Sequence, residues 1–239
     1  MSWTDVPWAK FVARSALLLG LAGLALMAVF LTVLNVDPAD PYSELAAAAR
    51  NPAAYRLSAF LDMLTWVGTG GVLLAFAGIF AARAPMRALL LAALGAGQVV
   101  GYLGGALRLG AISELGARYA AAAAPDQQSM LGQIYLTLAQ VTFTHYGAGQ
   151  WLYGPGYLLI AWPAFSQAGV PRWVGVWFAL MGLYAVANQL SFVALGSLLP
   201  GVFFLVFMLG QDLASLALAI TFWRGAAAPA TRVAPAPVA

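Results

Sequence analysis

The chain has 239 residues, of which 63% are hydrophobic and 8% charged, with a mean hydropathy of +0.85; soluble domains carry roughly a quarter charged residues, so a soluble enzyme is excluded. Lys and Arg number 11 against 8 Asp and Glu, for a formal charge of +3, but these charges stand singly between apolar runs and form no basic stripe, which argues against nucleic acid as a partner. The absence of cysteine and a single histidine, His145, exclude disulfides, Fe–S clusters, thiolate zinc sites and a haem held by two histidines.

A bilayer core about 30 Å thick needs roughly 20 mainly apolar residues per helix. Six runs meet that requirement: 15–36, 58–82, 88–110, about 150–167, 173–195 and 201–223. With six crossings and the N-terminus inside, Lys10, Arg14, Arg83, Arg87, Arg172, Arg224 and Arg232 fall on the inner side against Asp5 alone. The outer side then holds Arg50, Arg56, Arg108 and Arg118 with Asp37, Asp40, Glu44, Glu114 and Asp126. Basic residues collect on the cytoplasmic side of membrane proteins. A seventh crossing at 129–150 would carry Arg172, Arg224 and Arg232 outside and destroy the asymmetry. The expected fold is therefore an all-α polytopic membrane bundle of six transmembrane helices in one domain, residues 1–224, with both termini inside, in the bacterial inner membrane.

In chain order, Trp3, Trp8 and Phe11 lie beside Lys10 and Arg14, a combination suited to an anchor in the inner interface. The first apolar run is longer than the core of a signal peptide and reads as an uncleaved helix. The first outer segment, about 38–57, offers Asp37 or Asp40 before proline, and then Asn51 before Pro52, as helix caps. It reads as a short outer helix followed by a long helix starting at 52. In the third span, Gly97, Gly101 and Gly105 recur every fourth residue, which lets another helix approach closely, either within the bundle or across a homodimer. Residues 111–149 form the longest connection, read as an outer helical segment resting on the surface or acting as a lid. Residues 225–239, rich in Ala and Pro, have no periodic apolar face and read as a disordered cytoplasmic tail.

Charged groups inside a membrane are costly, so acids there are candidate functional residues. At 1.5 Å per residue, Asp62 lies about 7 Å and Asp212 about 18 Å below the outer end of its span. The same arithmetic brings Gln98, Thr69 and Tyr184 to the level of Asp212, within about 2 Å. These four form either a polar pocket in which Asp212 carries a proton or binds a cationic or hydroxyl-bearing ligand, or an interhelical hydrogen-bond layer. No basic residue shares that depth, so burial favours the neutral acid. Nearer the outside, Asp62 and Arg108 match in depth and are expected to pair, with Asn188 and Gln189 close by. His145 reads as a hydrogen-bonded surface residue before it reads as a base, and no metal site can be completed around it. Lys10 is the only lysine, so no span can form a retinal Schiff base.

The NPAAYRLSAFLDML stretch that opens the second span, Arg83 and Arg87 closing it, and the long segment before the fourth span together resemble an uncharacterised bacterial family of six-helix membrane proteins classed as a domain of unknown function. The resemblance covers residues 12–224 and implies a six-helix inner-membrane protein. It supplies no activity, cofactor or catalytic residue. On the residues themselves, the first expectation is a binding protein for a small molecule or lipid, a carrier or sensor subunit with an outward-facing polar site. The second is a structural or regulatory accessory subunit docking through its Gly-rich helix. An intramembrane hydrolase using Asp62, Asp212 and His145 comes last, because the depths of its acids differ. The sequence specifies no cofactor; its expected partners are membrane lipid, a small ligand, and a second copy or a partner membrane subunit.

Overall fold

The computed structural model describes residues 3, 6–36, 40, 42–166, 170–195 and 201–227, and among these the regular structure is helical throughout. The elements are α1 (Ala9–Val29), α2 (Ser43–Arg50), α3 (Pro52–Phe80), α4 (Pro85–Gly97), α5 (Val99–Leu107), α6 (Ser113–Ala121), α7 (Pro125–Ser166), α8 (Arg172–Leu195) and α9 (Gly201–Ala227). Five stretches, Ala9–Leu34, Pro52–Phe80, Pro85–Ala121, Arg172–Leu195 and Leu205–Ala226, are long and apolar enough to cross a membrane, which makes the chain a multi-pass membrane protein.

Local chemistry sets the boundaries. The side chain of Asn51 accepts from the amide of Ala54 at 3.2 Å and Pro52 occupies the first turn of α3, where its missing N–H costs nothing. Asp40 turns the chain ahead of α2 by accepting from the amide of Tyr42 at 2.9 Å; Asp37 and the tail from 228 onward lie outside the described residues.

Two expectations are corrected and a third is refined. The third span, expected over 88–110, lies within a candidate span of Pro85–Ala121 that is not a single regular helix. It breaks at Gln98, whose amide bonds back to Gly95 at 3.2 Å, and resumes through a π-helical turn, Arg108–Ile112, into α6. Glycines at 95 and 97 weaken the helix there and let the backbones of α3 and α4 touch; a Cβ on Gly70 would stand 2.9 Å from the Gly95 carbonyl. Secondly, residues 129–150 do not form a separate surface helix. They are collinear with the fourth apolar run in α7, which at 1.5 Å per residue is about 63 Å long and carries Pro155 and Pro163 in its interior. Membrane helices tolerate such prolines when neighbours cover the freed carbonyls, and α8 lies against this stretch at Gly154, whose Cβ would meet Ala185 at 3.1 Å. Thirdly, Trp3 is no interface anchor: it is 2% exposed and packs edge-on against Phe76 and Phe80, whereas Trp8 and Phe11 remain on the surface.

Two apolar cores result. The larger runs through the bundle on α1, α3, α7, α8 and α9, around Phe76, Tyr157, Phe178 and Phe222. The smaller joins Leu34, Leu45, Ile112, Leu115 and Leu131, where α2, α6 and the first turns of α7 form a cap over one end. We call that the capped end; the α3–α4 turn marks the other, open end. The Gly97, Gly101, Gly105 stripe faces helices of the same chain, since added Cβ atoms would meet Leu152 of α7 at 2.9 Å, the Trp66 ring of α3 at 2.2 Å and Met63 of α3 at 2.7 Å.

Candidate functional site

Two polar layers lie inside the molecule. The first sits between the cores, beneath the cap. The π-helical turn after α5 directs Arg108 inward, where its Nε stands 2.9 Å from Glu44 and its Nη1 3.4 Å from Asp62. Tyr55 donates to Glu44 at 2.8 Å and Tyr135 to the other Glu44 oxygen at 3.0 Å, while Tyr146 donates to Asp62 and stacks on Trp66. The guanidinium also lies over the Tyr55 ring, 5.3 Å from its centroid. Burial, and then the adjoining Glu44 carboxylate, push the Tyr135 hydroxyl well above the usual phenol range, which keeps it a donor. The expected pairing of Asp62 with Arg108 is present, but as part of a cluster drawn from four helical segments.

Sequence depth alone missed Glu44, Tyr55, Tyr135 and Tyr146. Glu44 arrives from α2, which is outside every apolar run, and Tyr146 arrives because α7 continues straight through residues 129–150. One signal was available: Tyr55, Ser58, Asp62, Thr65 and Thr69 follow one another at alternating intervals of three and four, which places all five on one helix face.

Beside this cluster, the side-chain nitrogens of Asn188 and Gln189 both reach Gln150 Oε1, at 2.9 and 2.7 Å. His145 uses Nδ1 against the Val141 carbonyl at 2.8 Å and joins neither acid.

The second layer is at mid-bundle. Asp212 is fully buried in α9, against Gly23 of α1, where any Cβ would overlap its carboxylate. Thr69 donates its hydroxyl to the Thr65 carbonyl at 2.9 Å. Gln98 turns its amide nitrogen to the Gly149 carbonyl at 3.4 Å, because the break between α4 and α5 points it at α7. Tyr184 stacks on Phe207 at 4.1 Å. Equal depth on different helices fixes height and not azimuth, and Asp212 is hydrogen-bonded to none of Gln98, Thr69 and Tyr184. Among the described residues, the buried side-chain atoms without a hydrogen-bond partner are Gln98 Oε1, Gln211 Oε1 and both carboxylate oxygens of Asp212. All are oxygens. What would complete them is a donor or a cation. No group of three or more His, Asp or Glu able to hold a metal occurs among the described residues.

No curated protein and no solved structure matches the chain. Residues 14–223 match a family described as a domain of unknown function (DUF4386). That span takes in the bundle, the cap and both polar layers, and the chain therefore belongs to the DUF4386 family.

Proposed function

We propose that this protein is a small-ligand carrier or sensor of the bacterial inner membrane whose binding group is Asp212. The observation that carries this reading is a fully buried carboxylate with no hydrogen-bond partner for either oxygen among the described residues. An ionised acid in hydrocarbon is expensive and persists where function uses it. The ligand class follows from the surrounding chemistry: every unmet buried side-chain group among the described residues is an acceptor, so the ligand is a proton, a small cation or a molecule presenting a hydroxyl or ammonium donor. The accessory-subunit reading has less support, because the Gly-rich face it would dock through is covered by α3 and α7.

The membrane arrangement we propose has six crossings, the sixth being the second half of α7, which lies against α4, α5 and α8. Lys10, Arg14, Arg83, Arg87 and Arg172 cluster toward the open end, which supports a cytoplasmic open end and an outward cap. Exposed cysteines at Ala82 and Ala123, in a chain with none of its own, are then labelled by an impermeant maleimide from opposite sides; labelling from the same side contradicts the arrangement.

Binding is tested by thermal unfolding in nanodiscs with sodium, potassium and tetramethylammonium as probes and across a pH series. A response present in the native chain and absent in Asp212→Asn supports the assignment. Identical responses of both proteins to every probe overturn it.

A further inference from the structure

Two grooves run along the outer surface of the bundle, and they differ in how they end. One lies between α4 and α7, has a volume of about 630 Å³ and is lined by Leu, Ala and Pro alone, Leu90 and Leu158 among them. The other lies between α1 and α3 and has a volume of about 450 Å³. Its walls are Leu17, Leu18, Leu21 and Ala22 of α1 with Leu61 and Leu64 of α3, and Arg14 closes it toward the open end. The α3 row that meets α1 explains the shape. Gly68 and Gly71 bring the two backbones together, since added Cβ atoms would stand 2.8 Å from Leu19 and 2.5 Å from Ser15. The next positions of that row toward the capped end are Leu64 and Leu61, whose bulk holds the helices further apart. On α1, Lys10, Arg14, Leu17 and Leu21 follow at intervals of four, three and four and are all exposed, so two cations and an apolar strip share one face. Neither Lys10 nor Arg14 forms an ion pair among the described residues. Trp8 and Phe11 are exposed at the same level, and aromatic rings beside basic groups mark the headgroup depth of a bilayer.

We propose that the groove between α1 and α3 is a binding site for one anionic phospholipid of the leaflet at the open end, with an acyl chain along the leucines and the phosphate at Arg14 and Lys10. The dimensions agree. From Arg14 to Ala22 the groove follows α1 for about 12 Å, close to the roughly 15 Å of hydrocarbon in one leaflet. The charges agree as well. A guanidinium binds phosphate through paired N–H donors, Lys10 adds a second cation one turn away, and no acid lines the groove. A zwitterionic lipid would bring an ammonium group for which the groove offers no counter-charge, so the site favours a net negative headgroup. The groove between α4 and α7 has the apolar half of this arrangement without the cations, and it accommodates a chain without choosing its headgroup. The site is also separate from Asp212. Gly20 and Gly23, which meet Asp212, lie by helical spacing on the opposite flank of α1 from Leu18 and Leu21.

The test uses the full chain, which has no cysteine of its own, in phosphatidylcholine bilayers. A bimane attached through Leu21→Cys reports on this groove and one attached through Leu90→Cys on the other; both positions are exposed. Each is quenched by a small fraction of phosphatidylglycerol or of phosphatidylcholine carrying brominated acyl chains, and the ratio of the two gives the headgroup preference at that place. At Leu21→Cys, phosphatidylglycerol is expected to be preferred by about fivefold or more, the effect of one basic residue near an anionic headgroup. At Leu90→Cys the ratio is expected to be close to one. Combining Lys10→Gln with Arg14→Gln is expected to bring the first ratio down to the second, whereas Lys10→Arg and Asp212→Asn leave it unchanged. Salt supplies a measurement that needs no charge variant: raising it from 0.1 to 1 M shortens the screening length from about 10 to about 3 Å and is expected to lower the ratio at Leu21→Cys alone. Equal ratios at the two grooves would mean ordinary contact with surrounding lipid and overturn the site, as would a phosphatidylglycerol preference that survives both the paired substitution and high salt.

Discussion

The two polar layers differ in how far their hydrogen bonding is completed. Beneath the cap, Glu44, Asp62 and Arg108 hold one another and receive three tyrosine hydroxyls. At mid-bundle, Asp212 has neither a counter-ion nor a donor among the described residues. Both sites bury acids, so burial does not distinguish them; satisfaction does. A completed network specifies packing between elements that are distant in sequence, here α2, α3, the π-helical turn after α5, and α7. An incomplete one holds a group ready for something that is not part of the chain.

That contrast can be broken most forcefully at Arg108. Arg108→Met leaves Glu44 and Asp62 buried without their cation, and removing one partner of a buried ion pair costs about 3–5 kcal/mol. The detergent-solubilised variant is expected to melt far below the native protein, and a shift equivalent to under about 1 kcal/mol would mean the cluster is not structural. Gly101→Leu comes next. Its side chain must displace the Trp66 ring, 2.2 Å from where Cβ would stand, at a cost of about 1–3 kcal/mol for overpacking. Trp66 supports Tyr146 by stacking, so this variant is also expected to loosen the Asp62 side of the cluster, measurable as a change in tryptophan fluorescence. An unchanged melting temperature would separate the helix seam from the ionic layer. Tyr146→Phe sharpens the comparison further by removing one donor to a charged acceptor and nothing else, for about 1.5–3 kcal/mol; coupling is read from a double-mutant cycle with Ser58→Ala, expected to be non-additive because Arg108 reaches both Asp62 and Ser58.

Much of the helical architecture was legible because long apolar runs and the Asn51–Pro52 cap mark element ends through local physics. Rise per residue fixes relative height along a helix but not azimuth: the contact of Gln98 with the Gly149 carbonyl and the stack of Tyr184 on Phe207 are encoded by no spacing rule. The continuity of α7 was hidden by Gly154 and Pro155, which punctuate a helix in water but not one buttressed by α8. Glu44 was hidden for a different reason: α2 gains its position from the small apolar core around Leu45, a tertiary event. The polar seam of α3 was present in the spacing of residues 55–69, and heptad counting along that helix exposes it.

The most direct test of the central claim, that the mid-bundle acid is held for a ligand and the capped-end acid for the fold, is a side-by-side measurement of unfolding stability for Asp62→Asn and Asp212→Asn in the same nanodiscs. Asp62→Asn is expected to lose about 1.5–3 kcal/mol, the worth of hydrogen bonds to a charged group. Asp212→Asn is expected to stay within about 0.5 kcal/mol of the native protein or to exceed it, as substitutions that break no interaction do. A loss in Asp212→Asn equal to that in Asp62→Asn would contradict the account and make Asp212 a packing residue.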